Sequence, residues 1–492
     1  MWTRDDLKRL VAERLGEFRL ICVGNREPYM HVHSPTGIRC LEPVSGVVSA
    51  LDPVMRAAGG TWIAHGSGDA DRETADVNGR LGVPPGADRY TLRRVWLSRE
   101  EERGYYYGFA NGALWPLCHI AYRPPVFERA DWAAYRTVNR RFAEAVREEA
   151  GGTRALVFIQ DYHFALLPRM VKDLLPNSVV FQFWHIPWPN PEVFGICPWK
   201  KEILEGLLGN DLLSFHIQYH CNNFMETVDR ELESRIDREQ FSVNIQGSPT
   251  LIRPQPIGID FDLISEQAGL AATEPRMSAI RNRYGLGDAR ILLGVDRLDY
   301  TKGILEKIRA LDRLLELHPE HVERVVLLQV GVPSRTALPA YRHFEAEVDS
   351  LVAAVNRRHR TSTWIPIVFV KENHSRTDLL PLYRMADVCM VTSVHDGMNL
   401  VAKEFVAARG DLAGVLLLSP FTGASRELTP AVLANPYATD DLAEAIQASL
   451  AMPPAEQASR MERMRESTRE HNVFEWVGGL LEQALRLEVP CP

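Results

Sequence analysis

The stretch GVDRLDYTKGI, residues 294–304, joins an apolar run to a dense group of charges. Residues 291–295 are typical of the end of a buried strand. Four charged side chains then follow within seven positions: Asp296, Arg297, Asp299 and Lys302. Two fixed cations after a strand can hold a diphosphate, with the two aspartates to neutralise or orient them. The alternative is a surface cluster of ion pairs, which would contribute little to stability.

Short apolar runs of this kind recur along the chain and alternate with longer amphipathic stretches. The strand-like runs are residues 20–24, 156–160, 179–185, 291–295, 324–332, 365–370, 388–393 and 414–419. Near-continuous apolar strands that alternate with helices are typical of parallel sheets covered on both faces. We therefore predict an α/β fold of two Rossmann-like, doubly wound domains that face an interdomain cleft. Ligands in such sheets bind outside the carboxyl ends of the strands.

The length of 492 residues suits two domains better than one. The segment TLIRPQPIGID, residues 250–260, carries two prolines and a glycine just past the midpoint. We place the boundary there, with a first domain over 1–255 and a second over 256–472. Residues 473–487 are predicted to form an amphipathic helix.

The composition excludes several classes of protein. The net charge is −8 and no Lys/Arg-rich block occurs, which argues against a nucleic-acid partner. The seven cysteines are odd in number and lack a CxxC pair, which favours a reducing cytoplasm over a disulfide framework or a zinc ribbon. The first residues lack the apolar core of a signal peptide, and no run of 18 apolar residues predicts a membrane span.

A second polar cluster follows a strand in SVHDGMNLVAKE, residues 393–404. Gly397 allows a tight turn, after which the sequence is typical of a helix. Free backbone N–H groups near residues 398–401 would bind phosphate, and Glu404 suits neutral hydroxyls such as those of a ribose. The alternative is ordinary turn chemistry with a solvated glutamate.

Familiar catalytic motifs are absent from the sequence. It contains no GxGxxG, GxxxxGK[ST], HExxH or GxSxG, so dehydrogenase, P-loop, zincin and serine-hydrolase readings lose support. The histidines are not spaced as metal ligands. The residues alone therefore predict two α/β domains that bind a diphosphate-bearing ligand.

Five long motifs spread over both halves carry a resemblance to a known family: YYYGFANGALWPLCH (105–119), QDYHFALLPRM (160–170), HIPWPNPEVF (185–194), GVDRLDYTKGI (294–304) and HDGMNLVAKEFVAAR (395–409). Together they resemble the trehalose-6-phosphate synthases, retaining glycosyltransferases of family 20 with the GT-B fold. The resemblance implies transfer of glucose from a nucleotide-glucose, by default UDP-glucose, to glucose 6-phosphate. The product would be α,α-trehalose 6-phosphate.

The resemblance also implies roles for individual residues at the donor. Arg297 and Lys302 would hold the diphosphate and stabilise it as it leaves. His185 would contact the donor glucose near the reacting centre. The remaining implied donor contacts are Gly46 of a mobile glycine loop, His374 near the nucleobase, Asp396, the backbone of Asn399, Leu400 and Val401, and Glu404 at the ribose.

For the acceptor, the resemblance implies a separate set of contacts. Arg26 and Arg335 match the phosphate-binding arginines, and Tyr106 and Trp115 match an aromatic pair. Asp161 would bind acceptor hydroxyls. Tyr106 offers a hydroxyl to phosphate, and Trp115 a wall to a sugar face; the alternative for the tyrosines at 105–107 is an aromatic core patch.

Retention commonly requires a carboxylate nucleophile, and Asp161 would be the candidate. The resemblance instead implies front-face attack, in which the leaving phosphate helps to deprotonate the acceptor. It implies no metal and no cofactor. It further implies that residues 473–492 cross back to the first domain, that the glycine loop closes over the donor, and that a homo-oligomer is possible.

Two departures from the family pattern keep alternatives open. NREPY (25–29) differs from the usual Asn-Arg-Leu-Pro and resembles glucosylglycerol-phosphate synthase, whose acceptor is glycerol 3-phosphate, whereas VPSR (332–335) keeps the arginine expected for glucose 6-phosphate. His374 stands where an apolar or aromatic residue is common, so GDP-glucose and ADP-glucose remain open. A non-catalytic sugar-phosphate-binding homologue is the third reading.

Overall fold

The computed structural model describes residues 2–16, 18–42, 46–270 and 273–487. The chain forms two compact units. Unit 1 comprises Met1–Ile257 with Val473–Pro492, and unit 2 comprises Gly258–Asn472. The boundary that we inferred from the prolines and glycine of residues 250–260 lies two residues from this division.

Unit 1 is built on a large, mostly parallel sheet. Its strands, with a separate hairpin of β2 and β3, are β1 (Arg19–Arg26), β2 (Met30–Ser34), β3 (Gly37–Leu41), β4 (Thr61–His65), β5 (Arg80–Val83), β6 (Tyr90–Val95), β7 (Ala155–Gln160), β8 (Val179–Phe183), β9 (Leu212–Phe215), β10 (Arg235–Asp237), β11 (Ser242–Ile245) and β12 (Ser248–Pro254). Within the described residues the order across the sheet is β10-β11-β12-β9-β8-β7-β1-β4-β6-β5. The strands from β12 to β6 run parallel. At the two ends of the sheet, β5 pairs antiparallel with β6, and β11 pairs antiparallel with both β12 and β10.

Helices pack against this sheet. They are α1 (Arg4–Arg14), α2 (Gly46–Ala58), α3 (Asp71–Thr74), α4 (Arg99–Glu102), α5 (Trp115–His119), α6 (Arg129–Ala150), α7 (Leu167–Leu174), α8 (Pro191–Phe194), α9 (Lys200–Leu207) and α10 (Gln218–Glu231). A π-helix spans Arg103–Leu114, directly before α5. Such helices are rare and occur often at functional sites, and nothing in the sequence pattern predicted this one.

Unit 2 is a doubly wound parallel sheet. Its strands are β13 (Arg290–Arg297), β14 (Val325–Val332), β15 (Ile367–Val370), β16 (Val388–Val391), β17 (Val415–Leu418) and β18 (Val432–Leu433). Its helices are α11 (Phe261–Ala268), α12 (Thr273–Arg283), α13 (Ile304–Leu317), α14 (Pro339–His359), α15 (Arg376–Met385), α16 (Leu400–Ala408), α17 (Thr439–Ala451) and α18 (Pro454–Glu470). The strand order in the described chain is β15-β14-β13-β16-β17-β18, with every pair parallel.

Each sheet has a point where the strand order reverses. In unit 2 the chain moves outward from β13 to β15 and then returns to β16, on the other side of β13. In unit 1 it moves from β1 to β4 and β6, and then returns to β7. Crevices at the carboxyl ends of such neighbouring strands are the usual ligand sites, and the clusters singled out in the sequence follow these strands.

The last helix, α19 (Val473–Arg486), confirms the amphipathic helix predicted over residues 473–487. It belongs to unit 1 although it follows unit 2 in the chain. Trp476 is fully buried and packs against the rings of Phe158 and Phe183 in the sheet, with centroids 5.9 and 5.1 Å apart. Among the described helices, none is both long and apolar enough to cross a membrane.

Candidate active site

Asp299 organises the polar cluster that follows β13 in unit 2. Its carboxylate is fully buried and accepts hydrogen bonds from the backbone N–H and hydroxyl of Thr301, at 3.0 and 2.9 Å. The other oxygen accepts from Arg335 and from the hydroxyl of Tyr341, each at 3.2 Å. Arg297, the last residue of β13, lies 3.7 Å from the same oxygen. The cluster is therefore a network of hydrogen bonds and ion pairs centred on the carboxylate of Asp299.

The cations around Asp299 affect the pKa of its carboxyl group more strongly than its burial does. Burial acts to raise the pKa of Asp299, but the nearby cations Arg297, Arg335 and Lys302 hold that pKa below its ordinary value. Arg297 and Arg335 share the carboxylate of Asp299, whereas Lys302 is paired with Asp396, so three cations face two carboxylates and the cluster keeps net positive charge. This favours an anion such as a phosphate as ligand.

Asp296 does not take the role that we predicted for it. The prediction ended the strand at residue 295, but β13 continues through Arg297, and strand alternation turns Asp296 away from its neighbour. Its carboxylate lies in the interior, 2.7 Å from the buried amine of Lys307 and 3.0 Å from the amide of Gln329. Asp296 therefore neutralises a buried lysine instead of orienting Arg297 or Lys302.

Lys302 is held against the loop that follows β16. Its amine lies 2.5 Å from the carboxylate of Asp396, and both side chains are largely buried. The turn after Lys302 requires glycine, because Gly303 has φ of +64° and an added Cβ would lie 1.9 Å from the carbonyl oxygen of Thr392. This close approach joins the loops after β13 and β16.

The helix start that we predicted near residue 398 begins at Leu400, with Asn399 as its N-cap. The Asn399 side chain accepts from the N–H of Ala402 at 3.2 Å and donates to Asp396 at 3.2 Å. The first N–H groups of a helix have no acceptor within it. After the cap on Ala402, the amides of Leu400 and Val401 are those that α16 can offer to an anion.

Glu404 lies one turn further along α16 and is tied to a neighbouring helix. Its Oε2 accepts a hydrogen bond of 2.9 Å from the hydroxyl of Tyr383, a fully buried residue of α15. His374 is part of the segment that joins β15 to α15 and is half-buried. The structure thus gives Glu404 a partner that the sequence pattern did not predict.

In unit 1, the residues predicted for the acceptor follow β1 and β7. Arg26 ends β1 and is exposed. The adjacent Asn25 accepts a hydrogen bond of 2.9 Å from Tyr105 of the π-helix. Tyr106, the next residue, stacks on His163 beyond β7, with ring centroids 5.7 Å apart. The π-helix thereby links the ends of the two strands at the switch point.

The tyrosines at 105–107 and Trp115 are not equally exposed. Tyr105 is fully buried, as expected for a core aromatic, whereas Tyr106 is half-buried. Trp115 is 5% exposed, and its ring lies 4.0 Å from that of His119 and 5.8 Å from that of Tyr162. Any sugar contact by Trp115 would therefore use the small accessible part of its ring.

Asp161 joins the loops that follow β7 and β8. Its Oδ1 accepts from the backbone N–H of Tyr162 at 2.9 Å and of His185 at 3.1 Å. The predicted strand over 179–185 is too long by two residues, since β8 ends at Phe183. This early end leaves the His185 backbone free of the ladder and able to donate to Asp161.

His185 is a neutral imidazole. One ring nitrogen, Nε2, lies 2.8 Å from the side-chain oxygen of the buried Gln160, and the ring packs near those of Phe183 and Trp476. Burial lowers the pKa of His185 to about 3. Since Gln160 occupies Nε2, Nδ1 is the nitrogen that remains for a ligand.

Three of the predicted site residues have strained backbones. Asp161, Arg335 and Asn399 have φ of +72°, +50° and +90°. Residues other than glycine rarely adopt such angles, and the surrounding structure must stabilise them. Each follows a strand at the carboxyl edge of its sheet, where the strain is consistent with a binding role.

The departure at NREPY has a structural explanation within unit 1. Glu27 is buried, and its carboxylate binds Arg94 at 2.8 Å and the N–H of Ser67 at 3.0 Å. Arg94 is also buried and binds Asp71 at 2.9 Å. Glu27 therefore belongs to an internal network of unit 1.

This network predicts a pH-dependent stability. Burial and the neighbouring Asp71 raise the pKa of Glu27 to about 8. Its ordinary value of 4.5 applies on unfolding, so its stabilising contribution is present below pH 4.5 and is lost as the pH rises toward 8. We expect Glu27→Gln to reduce that loss, so that the free energy of unfolding changes less between pH 5 and pH 8 in the variant than in the wild type. Urea unfolding at pH 5 and pH 8 measures it.

The control for this experiment is Glu100→Gln, which removes a carboxylate from an exposed position on α4. This variant should leave the difference in the free energy of unfolding between pH 5 and pH 8 as it is in the wild type. A wild-type pH dependence retained by Glu27→Gln would mean that Glu27 is ionised in the folded protein at neutral pH.

The predicted residues divide between the two units. Unit 1 holds Gly46, Arg26, Tyr106, Trp115, Asp161 and His185, and unit 2 holds Arg297, Lys302, Arg335, His374, Asp396, Asn399, Leu400, Val401 and Glu404. Gly46 begins α2, and the preceding residues 43–45 of its loop lie outside the described residues. No cluster of three or more His, Cys, Asp or Glu side chains suited to a metal ion occurs in the described ranges.

The comparisons with known proteins agree with this arrangement. The model of glycosyltransferase family 20 matches residues 19–486. A trehalose-6-phosphate synthase of Mycolicibacterium vanbaalenii is 38% identical over 477 residues, which cover 95% of this chain and 96% of that protein. A bifunctional trehalose-6-phosphate synthase/phosphatase of Thermoproteus tenax is 38% identical over 472 residues; the match covers 93% of this chain and 62% of that longer protein.

Solved structures are similar over nearly the whole chain. An α,α-trehalose-phosphate synthase (UDP-forming) of Burkholderia xenovorans in complex with glucose-6-phosphate has a TM-score of 0.84 at 28% identity, with 95% of this chain and 99% of that chain covered. A structure described as trehalose-6-phosphate from E. coli bound with UDP-2-fluoro glucose has a TM-score of 0.84 at 29% identity, with the same coverage.

The two α/β units, with polar clusters after the strands at their switch points, and these structural neighbours define a glycosyltransferase with the GT-B fold. The chain belongs to glycosyltransferase family 20.

Proposed function

We propose that the chain is a trehalose-6-phosphate synthase, which transfers glucose with retention from UDP-glucose to glucose 6-phosphate. The observation that carries this proposal is the network around Asp299. It gathers Arg297, Lys302 and Arg335 at the carboxyl edge of unit 2, beside the start of α16. Three cations that face two carboxylates, Asp299 and Asp396, suit two phosphorylated substrates. The relatives bound with glucose-6-phosphate and with UDP-2-fluoro glucose support the same substrates.

In this proposal unit 2 binds the nucleotide. Lys302 leaves Asp396 for the diphosphate, so Asp396 becomes available to hydroxyls of the donor glucose. The amides of Leu400 and Val401 and the side chain of Arg297 add to the charge stabilisation. Glu404 accepts from the ribose hydroxyls, and His374 lies near the base.

The chemical step exchanges one bond for another on the same face of the sugar. The bond from the anomeric carbon to the phosphate oxygen breaks, and a bond to the acceptor oxygen forms. The acceptor proton passes to the departing phosphate, so no protein carboxylate needs to act as a nucleophile. The neutral His185 adds no positive charge near the anomeric carbon, where positive charge develops in the transition state.

A small matrix of substrates tests the proposal. Purified protein is incubated with UDP-, GDP- or ADP-glucose and with glucose 6-phosphate or glycerol 3-phosphate, and products are identified by mass and by anomeric coupling in NMR spectra. We expect a disaccharide phosphate with the α,α linkage from UDP-glucose and glucose 6-phosphate. Product from glycerol 3-phosphate alone would assign the chain to glucosylglycerol-phosphate synthesis. Binding of sugar phosphate with no nucleoside diphosphate released would indicate a non-catalytic homologue.

A further inference from the structure

The hydrogen bond between Tyr383 and Glu404 joins α15 to α16 at the residue proposed to bind the ribose. Tyr383 is fully buried, and its hydroxyl lies 2.9 Å from Oε2 of Glu404. We propose that Tyr383 is a positioning residue, which holds the Glu404 carboxylate in the orientation that receives the ribose hydroxyls of the nucleotide. This inference rests on the proposed function and deepens it.

The phenol of Tyr383 can act only as the donor in this pair. Burial and the adjacent carboxylate of Glu404 raise the pKa of Tyr383 well above its ordinary value, so its proton is retained. A buried hydroxyl is costly unless it makes a hydrogen bond, and bonds to charged acceptors are among the stronger ones. A phenylalanine would fill the same space without this cost. The hydroxyl therefore points to a function in holding the carboxylate.

The backbone around Tyr383 is fixed by the other end of α16. Arg409, which follows α16 and is 4% exposed, donates to the carbonyl oxygens of Tyr383, Arg384 and Ala386, at 3.0, 2.7 and 2.7 Å. These carbonyls lie at the end of α15, where the helix offers them no partner. The two helices are thus joined at Glu404 and again at Arg409. These hydrogen bonds fix the backbone that carries the Tyr383 side chain.

As a consequence, one carboxylate oxygen of Glu404 is held in a fixed position before the ligand binds. A glutamate side chain has several rotatable bonds, and ordering it on binding weakens affinity. Tyr383 fixes Oε2 in advance, so less is lost when the ribose binds. Helix α15, which carries Tyr383, begins at Arg376, directly after the segment that contains His374. α15 therefore connects the predicted base contact to the ribose contact.

The test compares ribose recognition in the wild type and in Tyr383→Phe. Dissociation constants for UDP, 2′-deoxy-UDP and 3′-deoxy-UDP are measured by calorimetry, with kcat and both KM values from the transfer reaction. Tyr219→Phe, which removes a hydroxyl from a half-exposed side chain on α10, is the matched control. For the wild type we expect loss of a ribose hydroxyl to weaken binding about tenfold.

In Tyr383→Phe, UDP should bind about fivefold to tenfold more weakly, whereas the further loss on removing a ribose hydroxyl should fall to about twofold. KM for the donor should rise, with kcat and KM for the acceptor unchanged. If the variant bound UDP and both deoxy analogues more weakly by the same factor, ribose discrimination would be unchanged. That result would overturn the inference while leaving the proposed function intact. Failure of the wild type to bind UDP, GDP or ADP would overturn both.

Discussion

Replacing Lys302 with alanine is expected to lower kcat by about a thousandfold, the largest effect that we predict. The leaving diphosphate gains negative charge as the glycosidic bond breaks, and a cation fixed beside it stabilises that charge in the transition state. Removing one such group typically costs 10²–10³-fold in rate, and the low exposure of Lys302 strengthens the interaction because little water screens it. Steady-state turnover with saturating donor and acceptor measures the effect.

The design must separate lost catalysis from lost folding. Lys302→Ala leaves Asp396 largely buried without its cation, which destabilises the protein. The double variant Lys302→Ala/Asp396→Asn removes both charges, so it should recover thermal stability without recovering turnover. Arg309→Ala, which removes a half-exposed cation from α13, is the control and should keep wild-type kcat. Turnover of Lys302→Ala within threefold of the wild type would remove Lys302 from the diphosphate site.

Strands β1, β7, β8 and β13–β17 could be predicted because their signals are local. Buried parallel strands are apolar over four to eight consecutive residues, and this pattern needs no knowledge of the partners. The strand ends were less predictable. β13 continues through Asp296 and Arg297 because Lys307, ten residues after Arg297 along the chain, reaches back to neutralise the buried aspartate. A lysine on a helix ordinarily predicts an exposed position, so the buried pair of Lys307 and Asp296 could not be predicted from the sequence.

The site itself was predictable only in part. The cations after β13 and the start of α16 are recognisable because ligands bind at the carboxyl ends of strands. Their supporting partners are distant in the sequence: Asp396 pairs with Lys302, and Tyr341 bridges Arg335 and Asp299. Such pairs depend on how the elements pack. The left-handed backbone of Arg335 is likewise invisible in the sequence, since glycine is the usual residue at such angles.

The second large effect concerns Arg335, whose replacement by alanine should raise KM for glucose 6-phosphate by about 10–100-fold. Charge-assisted hydrogen bonds to a phosphate each contribute about 1.5–3 kcal/mol, which sets this range. Arg335 follows β14, and its guanidinium is 5% exposed and held by Asp299 and Tyr341. It is therefore preorganised for an anion. KM for the donor should change less than threefold, because Arg297 and Lys302 remain for the diphosphate.

A phosphate-free acceptor isolates the contribution of Arg335. The wild type should prefer glucose 6-phosphate to glucose strongly in kcat/KM, and Arg335→Ala should lose most of that preference while its low activity toward glucose stays unchanged. Tyr341→Phe, which keeps the arginine but removes the hydroxyl that bridges it to Asp299, should raise KM for the acceptor only a few-fold. Arg324→Ala, at the opposite end of β14, is the control and should have no effect. If Arg335→Ala raised both KM values equally, the arginine would serve the network around Asp299 as a whole, and the acceptor phosphate would have to be bound by residues of unit 1 such as Arg26.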